Sequence, residues 1–219
     1  MASINRASFA MDHFNDRYFF RPLRAGVELA PSPLRAGLAN TIQTLAQPRI
    51  FVNDLLQGKV LAAGQDLARF TINLTLGIAG LVDTASWLGL PEHDEDFGQT
   101  LCLAGIPFGP YVYFPVLGPS SASEAVSITL DAALAPLDVL LPVFATRSGR
   151  ARQLAAIRSA HTSLESHTLD LYDFERVAYR QNRMRQVQDQ PLSLDGEALQ
   201  DKAVRAYGTC GYRRPPVTP

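Results

Sequence analysis

The chain has 219 residues, 47% of them hydrophobic and 19% charged, with a formal net charge of −1. That is enough apolar matter for one sizeable core or two small ones, while the charged share falls below the ~25% of an ordinary globular domain. These values exclude a disordered chain, and the near-zero net charge gives no global electrostatic reason to expect nucleic acid as a partner.

The opening residues, MASINRASFAMDHFNDR, contain no apolar run of signal-peptide type. Residues 1–13 are expected to form an extension ahead of a single domain over 14–189. "PSPLRAGLANTIQTLAQP" then predicts a helix, with Ser32 as N-cap and Pro33 at its first position. Leu34, Leu38, Ile42 and Leu45 fall on one of its faces. Pro48 is expected to start a second short segment, carrying Ile50, Phe51, Leu55 and Leu56 and closed by Gly58. A third helix from Lys59 presents Leu67, Phe70 and Leu74 as a stripe.

Phe70 to Leu90 has the length of a bilayer span, but Asn73, Asp83 and several hydroxyl residues make it a poor one. Phe97 to Ser123 carries no charged residue at all. It is interrupted by Pro107, Pro110, Pro115 and Pro119, each of which costs a helix interior about 3 kcal/mol. The expectation is therefore no transmembrane helix, and a hairpin of short pieces over Phe97 to Ser123. Ser121 or Ser123 is placed to cap the helix that follows, with Glu124 in its first turn. Asp131 to Thr146 reads as helix broken by Pro136 and Pro142. Arg150 to Gln188 reads as a long helical region, in two pieces meeting near His167. Residues 190–219 are expected to be a flexible tail. Strand-like alternation is scarce, and the fold class is all-α.

Catalytic patterns are thin. His13, His93, His161 and His167 are scattered, and Cys102 and Cys210 show neither metal-ligand spacing nor a reason to pair. "GLPEHDEDFG" gathers Glu92, His93, Asp94, Glu95 and Asp96. It reads as a solvated loop, with a metal site as the alternative. Ser120 and Ser121 lack the final glycine of a nucleophile elbow, and the glycines of "AGIPFGPY" match no phosphate-binding loop. The expectation is a protein that is not an enzyme, with no cofactor and no metal. Arg176, Arg180 and Arg183 recur as a basic helical stripe, either a solvated face or an anionic contact.

Several motifs in order carry a family likeness. They are "PSPLRAGLAN", "VNDLLQGK", "RFTINLTLGIAGLVDTA", "DFGQTL", "GIPFGPYVYFPVLGPSS" and the late "DLYDFERVAYRQNR". In this set the chain resembles the MlaA/VacJ family, the phospholipid-removing lipoproteins of the bacterial outer membrane, over roughly Phe14 to Arg185. The resemblance implies a ring of short amphipathic helices lying in the inner leaflet of the outer membrane. A Gly/Pro-rich hairpin would border a central channel. It implies removal of misplaced phospholipids from the outer leaflet, through that channel, to a soluble periplasmic lipid carrier. A trimeric porin would hold the ring.

Asp83, Asp96 and Gln99, polar residues within or beside apolar segments, are the channel-facing candidates. Tyr111 and Tyr113 either present hydroxyls to a lipid headgroup or pack in the core. Gly105, Gly109 and Gly118 are candidate hinges of the hairpin. Arg176 is expected to brace its helix internally, and Arg180 and Arg183 to be exposed contacts for the carrier. Two rivals are a soluble α-helical lipid-binding shuttle with no channel and a lipid hydrolase, the latter without any visible nucleophile and base.

Overall fold

The computed structural model describes residues 2–115, 117–137 and 170–188. Among them are eight α-helices and one small two-stranded sheet. Helix α1 spans Ala2–Asn15 and runs through a π-helical stretch, Asp16–Phe20, into α2, Arg21–Glu28. Helices α3 (Ser32–Leu56) and α4 (Val60–Thr75) are the long pair, followed by short α5 (Thr84–Trp87) and α6 (Phe97–Leu103). Strands β1 (Tyr111–Phe114) and β2 (Gly118–Ser121) precede α7 (Ala122–Leu134), and α8 is Leu171–Val187. No helix of the described residues is long and apolar enough to cross a membrane.

The described chain clusters into two compact units. The larger contains residues 15–100 and 127–137, and its frame is α3 packed along α4. Gly58, at φ 77, reverses the chain between them in a left-handed conformation that glycine adopts without a Cβ penalty. After α4 a tight turn returns the chain towards α3. Within it Ile78 and Ala79 hold φ values of 53 and 54, which side-chain-bearing residues seldom adopt. A Cβ on Gly80 would meet Thr44 Oγ1 at 2.8 Å, so only glycine allows the turn to lie this close to α3.

Two local expectations change here. Pro31, not Ser32, is the N-cap of α3: its carbonyl accepts from the Leu34 and Arg35 N–H groups at 3.0 and 3.2 Å, which puts Ser32 in the first turn. Pro48 does not start a new helix but sits inside α3. It removes one backbone donor, and the flanking turns, buried around Ala46 and Ile50, hold the helix together across that gap.

The second unit contains residues 2–14, 101–126 and 170–188. Its core is Cys102, Phe108, Tyr111, Tyr113, Tyr172, Ala178, Tyr179, Met184 and Val187. The proline-rich segment includes an antiparallel strand pair, Tyr111 opposite Ser121 and Tyr113 opposite Pro119. Pro119 is tolerated because a two-stranded ladder has only edges. Helix α1 is tied to this hairpin: Asn5 Nδ2 donates to the Tyr111 carbonyl at 2.9 Å, and the Tyr113 N–H donates to Asn5 Oδ1 at 3.2 Å. Asp170 caps α8 by accepting from the Tyr172 and Asp173 N–H groups, and it pairs with Arg6 at 2.6 Å. Ser121 Oγ accepts from the Glu124 N–H at 3.3 Å, which is the anticipated cap of α7. Cys102 is disulfide-bonded, a pairing that nothing in the sequence called for; Cys210 lies outside the described residues. The readings made over 138–169 and the tail 190–219 also lie outside them.

Candidate functional site

In α3 and α4 the amphipathic faces are turned the opposite way from a water-soluble helix pair. The buried face of α4 is Ala63, Asp66, Arg69 and Asn73, recurring at helical spacing. Its apolar residues look outward: Val60, Leu61, Leu67 and Leu74 are exposed, Leu61 to 86%. Helix α3 buries Gln43, Thr44, Gln47, Arg49, Asn53 and Asp54, and exposes Leu34, Leu38, Leu45, Leu55 and Leu56. Of the apolar stripe read from the sequence in α3, only Ile42 is buried.

The buried polar face is organised around two centres. In the first, the Arg69 guanidinium lies 3.1 Å from Asp83 Oδ1, and its Nη1 donates to the Leu90 carbonyl at 2.6 Å. Asp83 also accepts from Asn73 Nδ2 at 3.0 Å and from Ser86 Oγ at 2.6 Å, and it caps α5. Burial raises its pKa, but the hydrogen bonds from Ser86 and Asn73 and the charge of Arg69 outweigh this and hold it below the usual carboxylate value. In the second centre, Asp54 and Asp66 are buried beside His93. Glu95 pairs with Lys59 and accepts from Gln57 Nε2 at 2.9 Å, and Arg49 donates to the Glu95 carbonyl. Burial, reinforced by Asp66 and Glu95, pushes the Asp54 carboxyl up to about 8. Thr100 links this centre to α3 through Asn53 Oδ1 at 2.6 Å.

Asp83 is thus half of an ion pair. Asp96 accepts from the Gln99 N–H at 2.9 Å in the first turn of α6. Gln99 is buried and donates through Nε2 to the Asp94 carbonyl at 3.0 Å. Each of these candidates is engaged with its own unit.

In the other unit, the two candidate tyrosines are buried. Tyr111 packs edge-on against Tyr172 and Tyr179, with ring centroids 6.0 and 5.8 Å apart. Tyr113 points its hydroxyl between Asp12 Oδ2 and Glu175 Oε2, both at 3.1 Å. Burial, then the charges of Glu175 and Asp12, raise its pKa far above the ordinary phenol value. Gly105, Gly109 and Gly118 all hold positive φ, at 91, 73 and 79. At Gly109 an added Cβ would also meet Ala122 Cβ at 3.3 Å.

The arginine stripe of α8 reverses its expected roles. Arg183, expected as an exposed contact, is 1% exposed, lies 4.0 Å from Glu124 and covers the Phe108 ring at 5.6 Å. Glu124 is itself buried and accepts from the Tyr179 hydroxyl, so Arg183 is held inside by the need to balance that charge. Arg176, expected inside, is part-exposed and pairs with Asp173 at 2.9 Å. Arg180 is half-buried.

Sequence reasoning missed Arg69, Asn73, Asp54, Asp66, Glu124 and Glu175. A signal was present in α4, where Asp66, Arg69 and Asn73 fall on one face of an otherwise apolar helix.

Residues 1–186 match the model of the MlaA lipoprotein family. An uncharacterized protein of Rickettsia prowazekii is 35% identical over 61% of this chain and 54% of its own length. The intermembrane phospholipid transport system lipoprotein MlaA of Haemophilus influenzae is 28% identical over 87% of this chain and 79% of its own. The protein of that name in Escherichia coli is 35% identical over 47% and 43%. The chain spans about half the length of most of the curated relatives it matches. A solved structure described under "Structural basis for maintenance of bacterial outer membrane lipid asymmetry" superimposes with a TM-score of 0.70 at 25% identity, over 85% of this chain and 97% of that one. The chain belongs to the MlaA lipoprotein family.

Proposed function

We propose that this protein transports phospholipid without a chemical step. It takes misplaced lipid from the outer leaflet of the outer membrane, through a polar channel, to a soluble carrier on the periplasmic side. In this reading it sits in the inner leaflet of that membrane and is held there by a porin trimer. The observation that carries the reading is the inverted amphipathicity of α3 and α4. A helix that lies in a leaflet needs an apolar face towards acyl chains and low charge there, while polar groups collect on the sheltered side. Gln43 Nε2 and Gln47 Oε1, on that buried face, meet no protein hydrogen-bond partner, as suits groups that serve water or a passing headgroup. The names of the relatives from Haemophilus influenzae and Escherichia coli, an intermembrane phospholipid transport system, support the same substrate class.

The test is reconstitution into vesicles holding a fluorescent phospholipid, with an acceptor carrier outside. Transfer should require the protein and leave the lipid chemically intact. Hydrolysed lipid would instead mark the hydrolase. A protein that stays monodisperse without detergent and carries lipid through bulk water would establish the soluble shuttle.

A further inference from the structure

One cluster of the larger unit has a property that lipid transport does not use. Asp54 stands near the end of α3, Asp66 lies within α4, and His93 belongs to the loop before α6. One ligand atom from each lies within 4.8 Å of the others, and His93 Nδ1 is 3.0 Å from Asp66 Oδ1. Both carboxylates are wholly buried. Neither oxygen of Asp54, nor Oδ2 of Asp66, meets an N–H or O–H donor of another residue, and the two carboxyls lie against one another. Buried carboxylates in native proteins are satisfied by donors, by paired charges or by metal, because an uncompensated anion out of water is strongly unfavourable. The neighbouring Lys59 ammonium, which pairs with Glu95, a third buried carboxylate, favours the Asp54 anion but is outweighed by burial and by Asp66 and Glu95. Helical spacing alone does not call for this arrangement: two acidic side chains from different helices converge on one imidazole.

We propose that Asp54, Asp66 and His93 bind a divalent cation of the zinc class, which ties α3, α4 and the loop before α6 together. The donor set is two carboxylate oxygens and one imidazole nitrogen. Zinc takes such donors at about 2.0–2.2 Å, and three protein ligands leave a fourth position for water. In a tetrahedral arrangement the donors stand about 3.4 Å apart, so the cluster needs to close by on the order of 1 Å. Calcium prefers six to eight oxygens, and magnesium a near-ideal octahedral shell of oxygens, so this set suits neither. The competing occupant is a single proton shared by the two carboxylates, which would leave one negative charge buried.

The untagged full chain, purified in detergent, stripped with EDTA and dialysed, is titrated with ZnCl2 by calorimetry and with CoCl2 by visible absorption. One zinc per chain, cobalt bands of a four-coordinate site and a raised melting temperature are expected. His93→Gln keeps a hydrogen-bond donor for Asp66 and should leave the metal-free melting temperature unchanged, while weakening zinc at least ~10-fold. Asp54→Asn should abolish the cobalt bands. The proposal is overturned by the absence of stoichiometric zinc, by His93→Gln binding zinc as the wild type does, or by calcium or magnesium binding as tightly. It is also overturned if Asp54→Asn raises the metal-free melting temperature and the wild type ignores zinc, which is the signature of the shared proton.

Discussion

Arg69 and Asp83 form an ion pair 3.1 Å long, in which the guanidinium is 1% exposed. The pair closes the turn after α4 back onto that helix, and Asn73 and Ser86 complete the carboxylate's shell. Removing one partner leaves the other charge without compensation, which for buried pairs costs about 3–5 kcal/mol. Arg69→Ala should therefore lower stability by about 3 kcal/mol, towards the lower end because Asp83 is partly exposed. Asp83 has a folded pKa below its ordinary value of 3.8, so its contribution is complete above that value and is lost as pH falls through the folded pKa. The gap in melting temperature between wild type and Asp83→Asn should be wide at pH 7 and narrow as the pH is taken below 3.8. A gap that is constant with pH would mean the carboxylate's charge contributes nothing.

The hairpin glycines allow a separation of strain from function. Gly105 and Gly109 both need left-handed backbone, for which a side chain costs about 1–2 kcal/mol. Only Gly109 has a neighbour that an added Cβ would press, Ala122. Gly105→Ala should show the backbone strain alone, and Gly109→Ala that strain plus a packing cost. If either glycine is a hinge for lipid passage, its variant transfers lipid more slowly than its melting temperature explains. Parallel loss of stability and transfer would make both glycines structural.

Arg183 and Arg180 should now part company. Arg183→Ala strips a counter-charge from buried Glu124 and should cost about 3 kcal/mol or more, read by thermal melt. Arg180→Gln should cost less than Arg183→Ala, because the Arg180 side chain is only half-buried. If Arg180 meets the carrier, the same variant slows lipid handover through the lost pair. Normal handover would remove the contact role from α8.

The all-α class, and the absence of a spanning helix among the described residues, were legible because proline spacing and charge placement act locally. The family was legible from ordered motifs. The interior was not. Tyr113 meets Asp12 and Glu175 from segments 101 and 62 residues away, and no periodicity encodes that distance. Arg183 looked solvent-facing because its stripe is basic, whereas the deciding partner, Glu124, lies in another helix. Pro48 was read as a breaker because sequence shows the missing donor but not the packing that holds α3 together around it. Strands β1 and β2 were hidden by Pro119, which an edge strand tolerates, and both strands of this pair are edges.

The outward leucines give the most direct test of where the protein sits. Leu61 and Leu67 are exposed on α4, at 86% and 50%, while Asp66 and Arg69 face inward. In water such a surface is unfavourable; against acyl chains, each fully buried leucine is worth about 1.5–3 kcal/mol. Serine at both positions removes that gain for most of the Leu61 side chain and for the exposed half of Leu67. The double variant Leu61→Ser, Leu67→Ser should therefore keep its helical circular-dichroism spectrum and its melting temperature in detergent. Its partitioning into phospholipid vesicles should fall by about tenfold or more from Leu61 and by less from half-exposed Leu67, since 1.4 kcal/mol is one decade. Vesicle co-sedimentation measures the fall directly. Unchanged partitioning with an intact fold would mean that this face does not lie in lipid, and the leaflet-embedded reading would fail with it.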